Sequence, residues 1–260
     1  MIRFLFLGDI VGSYGRKAVQ KNIDSICAEL DIDCVIANVE NASGGMGITP
    51  KNAEQLHACG VRVLTTGNHV WRHKEIYSFL DEKDWILRPV NYPKDSPGRG
   101  WNIYGIKGCP VALINLQGRV FMDNIDCPFR AIEEVLPYIR KKTPIIIVDF
   151  HAEATSEKRA MFFFLAGKIT ALLGTHTHVQ TNDAQILENT GYITDVGMTG
   201  PYYSVIGMDP EVIIRRFKSC LPQKFVVAKG VVSMQGVILE VEEETGRTLN
   251  ITPWQRILKR

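Results

Sequence analysis

Five short apolar runs in this sequence stop on residues that can hold a ligand. Arg3 to Leu7 leads into Gly8-Asp9, Cys34 to Val39 into Glu40-Asn41, and Val61 to Thr65 into Gly67-Asn68-His69 by way of Thr66. Ile145 to Phe150, with Asp149 inside it, leads into His151, and Ile169 to Gly174 leads into Thr175-His176-Thr177-His178. A sixth run, Val111 to Asn115, lies between them. Several of these runs are apolar throughout, the pattern of strands covered on both faces. Amphipathic segments at about 15–29, 50–58, 128–141, 156–166 and 210–219 separate them and read as helices, the last preceded by Asp209-Pro210 as cap and first-turn pair. Strands alternating with helices predict an α/β fold. In open α/β sheets, ligands bind beyond the carboxyl ends of the strands, so the five run ends point at one site.

Toward the C-terminus the pattern changes. Residues 224–229 and 231–241 alternate apolar with polar around Gly230 and Gly236, which predicts a closing antiparallel hairpin on the same domain. No repeat, Pro/Ser linker or composition break divides the chain, so a single domain over 1–260 is expected. Charge narrows the function. Lys+Arg 30 against Asp+Glu 28 leaves a net charge of +2, too little for a broad surface that binds extended nucleic acid. Any affinity for phosphate must be local. The longest apolar stretches, 110–114 and 144–148, fall short of the roughly 20 residues of a membrane span. The run Ile2 to Gly8 reads as a buried strand and not as a secretory signal. Six cysteines without Cys-x-x-Cys spacing fit reduced thiols in a cytoplasmic protein.

Four of the six histidines, His69, His151, His176 and His178, stand at the run ends, whereas His57 and His73 read as surface residues. Imidazole, carboxylate and amide oxygen together suit manganese, iron or zinc better than calcium or magnesium. His176 and His178 share a face if the strand persists and diverge if it does not, in which case they can serve two ions. A dinucleotide loop is rejected: Gly8, Gly12 and Gly15 lack the Gly-x-Gly-x-x-Gly spacing, and Asp9 would repel a pyrophosphate.

In this order the motifs resemble the signature of calcineurin-like metallophosphoesterases. The resemblance to one branch, the YmdB-type proteins, is closer and extends over Gly8-Asp9-Ile10-Val11-Gly12, Glu40-Asn41-Ala42, Gly67-Asn68-His69 and Asn115-Leu116-Gln117-Gly118-Arg119. It continues through Asp149 to Glu157, Gly174 to Thr181 and Asp195 to Pro201. The wider superfamily begins with Asp-x-His and bridges its ions with a second Asp; here Val11 and Glu40 occupy those positions, changes that the YmdB-type branch shares.

The resemblance implies a four-layer α/β/β/α sandwich of two mixed sheets and two divalent or transition metal ions, iron or manganese ahead of zinc. Carried over residue by residue, Asp9, Glu40, Asn41 and His178 would hold the first ion, and Glu40, Asn68, His151 and His176 the second, with Glu40 bridging. The implied activity is phosphodiester hydrolysis of cyclic nucleotides of the 2′,3′-cyclic AMP type by metal-bound hydroxide. The rivals are a phosphomonoesterase, a nuclease on short RNA, and a regulatory nucleotide-binding protein of slow turnover. His69 would stand beside the scissile phosphate and donate a hydrogen bond or a proton, or else only orient its neighbours. Asp149 and Glu153 either fix His151 through its outer nitrogen or, for Asp149, solvate a strand end. Arg119 reads as a phosphate clamp or a surface ion pair; Thr199 and Gly200 contact substrate or only shape the chain. Expected partners are a small phosphate ester or cyclic nucleotide, with no membrane and no extended nucleic acid; a homo-oligomer is compatible with the resemblance.

Overall fold

The first strand, β1 (Ile2–Leu7), buries Phe4 and Phe6 on one face and Leu5 and Leu7 on the other, which explains a sequence that is apolar without alternation. The computed structural model describes residues 1–258. After β1 come β2 (Asp9–Ile10), α1 (Gly12–Leu30), β3 (Cys34–Asn38), α2 (Pro50–Ala58), β4 (Val61–Thr65), α3 (Ile76–Glu82) and β5 (Ile86–Leu87). Then follow β6 (Trp101–Ile106), β7 (Cys109–Gln117), α4 (Pro128–Arg140), β8 (Ile145–His151), α5 (Thr155–Leu165) and β9 (Ala171–Thr175). The chain continues with β10 (Gln185–Leu187), β11 (Thr190–Ile193), β12 (Met198–Pro201), α6 (Pro210–Ser219), β13 (Val232–Val241) and β14 (Thr248–Leu258).

Two mixed sheets form. One runs β2-β12-β13-β1-β3-β4-β5 with β14 also paired to β13; the other runs β10-β11-β9-β8-β7-β6. Phe4, Phe6, Ile36 and Val63 of the first sheet meet Leu113, Ile147 and Leu173 of the second in a shared core. The outer face of the first sheet is covered by Val19, Ile23, Leu56 and Phe79 of α1, α2 and α3. Ile132, Leu136, Met161 and Phe162 of α4 and α5 cover the outer face of the second. The result is the expected four layers, α/β/β/α. Within each sheet the helical crossovers make β1, β3 and β4, and β7, β8 and β9, run parallel.

Two expectations need correction. The closing hairpin pairs β13 with β14, turning at 242–247, and not the segment 224–229 with 231–241. That earlier segment contributes only an isolated bridge from Val227 to Met208. His57 and His73 are half-buried: the His57 ring stacks on Trp85 at 4.1 Å, and His73 Nε2 lies 3.1 Å from the Met46 carbonyl. Among the described residues, no helix is long and apolar enough to cross a membrane.

Candidate metal centre

The carboxyl ends of β1, β3, β4, β8 and β9 converge where the two sheets meet. Asp9 follows β1, Glu40 and Asn41 follow β3, Asn68 and His69 follow β4, His151 ends β8, and His176 and His178 follow β9. Asp9, Glu40 and His151 are fully buried. Two groups of donor atoms lie within 4.8 Å of one another, Asp9 with Glu40 and His178, and Glu40 with His151 and His176. Glu40 belongs to both. Asn68 joins the second group, its Oδ1 lying 3.2 Å from His151 Nε2.

Three imidazoles, those of the buried His151 and His178 and the half-buried His176, are arranged alike. Each turns one nitrogen to the cluster and has the other held from behind. His151 Nε2 faces Glu40 at 3.1 Å, while its Nδ1 lies 2.8 Å from Thr175 Oγ1, whose hydroxyl donates to Asp149 at 2.7 Å. His178 Nε2 faces Asp9 at 3.6 Å, and its Nδ1–H donates to the Ile206 carbonyl at 2.9 Å. His176 Nδ1 lies 3.0 Å from His151 Nε2, and its Nε2 lies 3.0 Å from Glu153. Such outer partners fix the tautomer that leaves an inward lone pair. Asp9 Oδ1 is buried without a hydrogen-bond partner, a costly state that a cation would relieve. Asn41 presents its amide nitrogen to His178 at 3.0 Å and to Glu40 at 2.8 Å; a half-turn of the amide would present its oxygen in the same space.

Electrostatics agree with a cation-seeking site. Burial pulls the Asp9 carboxyl up, but His178 and His151 more than offset it and hold it below the ordinary carboxylate range. Glu40 is likewise held well below that range by His151 and His69 against the effect of burial. Burial and the neighbouring His151 push His176 down to about 3, leaving it neutral.

His69 stands at the edge of the cluster with its Nδ1 2.9 Å from Asn41 Oδ1 and 3.1 Å from Glu40 Oε1. The cleft beyond it has a volume of about 580 Å³ and is bounded by His69, His176, His178 and Glu153 on one side. Asp149 is fully buried between Asn38 and Thr175, which corrects the reading of a solvated strand end. Glu153 reaches His176 and not His151.

Three predicted contacts fall elsewhere. Arg119 lines a different cavity, of about 1090 Å³, beside Arg99, Asp126 and Arg130. Thr199 and Gly200 are both buried; they lie in β12, where the Cβ position of Gly200 is 3.0 Å from Val11. The structure also adds residues that the sequence does not single out. Lys158, 1% exposed, donates to the Thr175 carbonyl at 2.7 Å and to Asp195 at 3.0 Å. Asn38 donates to Asp149 at 2.9 Å.

Comparison with known proteins carries the same fold and length. Residues 5–254 match the family described as YmdB-like protein. The chain is 44% identical over 258 residues, 99% of its length and 97% of the relative's, to a protein of Bacillus subtilis (strain 168) named 2′,3′-cyclic-nucleotide 2′-phosphodiesterase. A crystal structure of a hypothetical protein from Thermus thermophilus superimposes with a TM-score of 0.92 at 40% identity, over 98% of this chain and 99% of that one. A crystal structure of a novel phosphatase from Mycoplasma pneumoniae does so with a TM-score of 0.93 at 34% identity, over 98% and 93%. Matched over nearly its whole length in both sequence and fold, the chain belongs to the YmdB-like family.

Proposed function

We propose that this protein is a phosphodiesterase that hydrolyses small cyclic nucleotides of the 2′,3′-cyclic AMP type at a centre of two divalent metal ions. The observation that carries the reading is the shared Glu40 carboxylate, flanked by two ligand groups whose histidines each turn one nitrogen inward. The name of the Bacillus subtilis relative supports the substrate class. Asp9, Glu40, Asn41 and His178 would hold one ion, and Glu40, Asn68, His151 and His176 the other. Iron or manganese is proposed ahead of zinc on the family resemblance alone, since imidazole, carboxylate and amide oxygen suit all three. The chain would work as one domain over 1–260 in the cytoplasm, in keeping with free thiols at Cys27, Cys34, Cys59, Cys109, Cys127 and Cys220.

Bound there, such ions supply Lewis acidity that polarises a phosphoryl oxygen and activates water at neutral pH. The protein's own residues set the rest. Only two carboxylates stand among the ligands, so the occupied site stays positive and attracts a phosphate anion. Glu40 and Asn41 engage His69 Nδ1, which leaves Nε2 as the nitrogen to hydrogen-bond a phosphoryl oxygen or to protonate the departing sugar oxygen. Opening the ring breaks one bond between phosphorus and sugar oxygen, adds one water, and yields a monophosphate.

The deciding comparison is turnover of 2′,3′-cyclic AMP, bis-p-nitrophenyl phosphate and p-nitrophenyl phosphate by wild type and Glu40→Gln. Diester turnover that disappears with the metal in Glu40→Gln is expected. Preference for the monoester would make the enzyme a phosphomonoesterase. Full biological effect in a Glu40→Gln protein that has lost its metal would mean that catalysis is not the function.

A further inference from the structure

The cleft at the metal centre is strongly two-sided. Glu40, Asn41, His69, His176 and His178 make its polar side; Met46, Met208, Ile213, Phe217 and Phe225 make an apolar wall, with Arg216 among them. This wall is built onto the metal centre. The Ile206 carbonyl accepts the outer N–H of His178 at 2.9 Å, and Met208 is bridged to Val205 and Val227. Asp209 then caps α6, accepting from the N–H groups of Glu211 at 3.0 Å and Val212 at 3.3 Å, so Ile213, Arg216 and Phe217 enter the cleft from an anchored helix.

Two features of the wall bear on what the cleft can hold. Phe217 is 74% exposed and Phe225 39%, so most of the Phe217 ring gains nothing from folding. The Arg216 guanidinium lies over the Phe225 ring, 4.7 Å from its centroid. A guanidinium stacked on an aromatic ring extends a flat surface that suits another planar group. The cleft volume, about 580 Å³, lies within the range of sites for small organic ligands, and a phosphate alone would occupy only its polar end.

We infer that the wall made by Arg216 and Phe217 of α6 with Phe225 beyond it is a nucleobase seat, on which the heterocycle of the substrate stacks while its phosphate faces the metal ligands. The inference rests on the phosphodiesterase reading and adds the residues that select a nucleotide over other phosphate esters. Base–aromatic stacking lost on truncation to alanine weakens binding by about tenfold or more.

The test compares kcat/KM for 2′,3′-cyclic AMP with that for ribose 2′,3′-cyclic phosphate, which carries the same diester without a base. Because Phe217 is mostly exposed, Phe217→Ala removes little packing. The ratio of the two kcat/KM values is expected to fall about tenfold in Phe217→Ala and in Phe225→Ala, and to be kept in Phe217→Trp. An unchanged ratio, or an equal loss on both substrates, overturns the seat while leaving the phosphodiesterase reading intact. If wild type hydrolyses neither cyclic diester, the phosphodiesterase reading fails and the seat is judged by calorimetric binding of adenosine 3′-monophosphate against ribose 3-phosphate. Binding of the adenosine compound that weakens in Phe217→Ala then supports the seat, and equal affinity in both proteins overturns it.

Discussion

Lys158 Nζ lies 3.0 Å from Asp195 Oδ2, and the same carboxylate oxygen accepts the N–H of Thr177 at 3.0 Å and its hydroxyl at 2.7 Å. A buried ion pair thus grips the middle of the turn that carries His176 and His178. The two histidines flank it with φ values of +95° and +64°, a region costing non-glycine residues on the order of 1–3 kcal/mol each. Surrounding bonds must over-determine such a turn for it to persist.

Lys158→Met should therefore damage both stability and metal binding. Removing one partner of a buried pair leaves an uncompensated charge, a loss of about 3–5 kcal/mol. Burial already pushes the Asp195 carboxyl above its ordinary value despite the ammonium, so Asp195 would take up a proton and loosen Thr177. Thermal unfolding should fall by several degrees and metal content should drop. Adding Asp195→Asn should recover part of the stability, and a Lys158→Met protein with unchanged melting and metal would refute the grip.

Gly67 sits against the cluster, where an added Cβ would strike His151 Cδ2 and Nε2 and the Glu40 carboxylate. Its φ is not positive, so the need for glycine here is close approach and not backbone conformation. Gly67→Ala should displace the His151 ring, lower metal content by at least half and abolish most turnover, with a smaller change in melting temperature than Lys158→Met. Elemental analysis of the purified variant decides; full occupancy would show that the cluster can yield.

How much of this is legible in the sequence depends on where each residue's neighbours lie. The ligands can be read because strand, turn and ligand are adjacent in the chain, as in Gly67-Asn68-His69 after β4. Lys158 cannot, since a lysine in the run from Thr155 to Leu165 looks like a solvated helix face, and its partner is 37 residues away. Asp149 looks solvated for the same reason: Asn38 and Thr175 bury it from 111 and 26 residues away. Arg119 follows a strand end, yet its loop opens on the far cavity with Arg130. Gly230 misplaces the hairpin because it punctuates the sequence as a turn would, whereas β13 pairs along its whole length, Val232 to Val241, with β14. Two-residue strands such as β2 and β5 leave no period to detect.

Metal loading should release protons. Burial pulls His178 down, but Asp9 more than offsets it and pushes the imidazole up to about 9 in the metal-free centre. An ion that takes His178 Nε2 must displace that proton. Because the raised value favours the protonated form below it, apparent affinity at this position should fall by about tenfold per pH unit as the pH is lowered from about 8.5 to 6.5, and level off above about 9. Titration calorimetry of the metal-free protein in two buffers of different ionisation enthalpy measures the release directly. Affinity that ignores pH over this interval would remove His178 from the ligand set.

His69 separates catalysis from metal holding. It follows Asn68 and lines the cleft; its backbone N–H donates to Glu40 Oε2 at 3.1 Å, and its ring engages the cluster through Nδ1, which lies 2.9 Å from Asn41 Oδ1 and 3.1 Å from Glu40 Oε1. Glutamine at this position keeps a polar group but cannot deliver a proton. His69→Gln should retain both ions and lose about 10²–10⁴ in kcat, the usual contribution of a positioned general acid. A substrate with a good leaving group tests the role further: bis-p-nitrophenyl phosphate needs little protonation of its departing oxygen, so its turnover should fall less than that of 2′,3′-cyclic AMP. Equal losses on both substrates would assign His69 to hydrogen-bonding the phosphoryl oxygen, and unchanged kcat with full metal content would leave it only the orientation of Asn41 and Glu40.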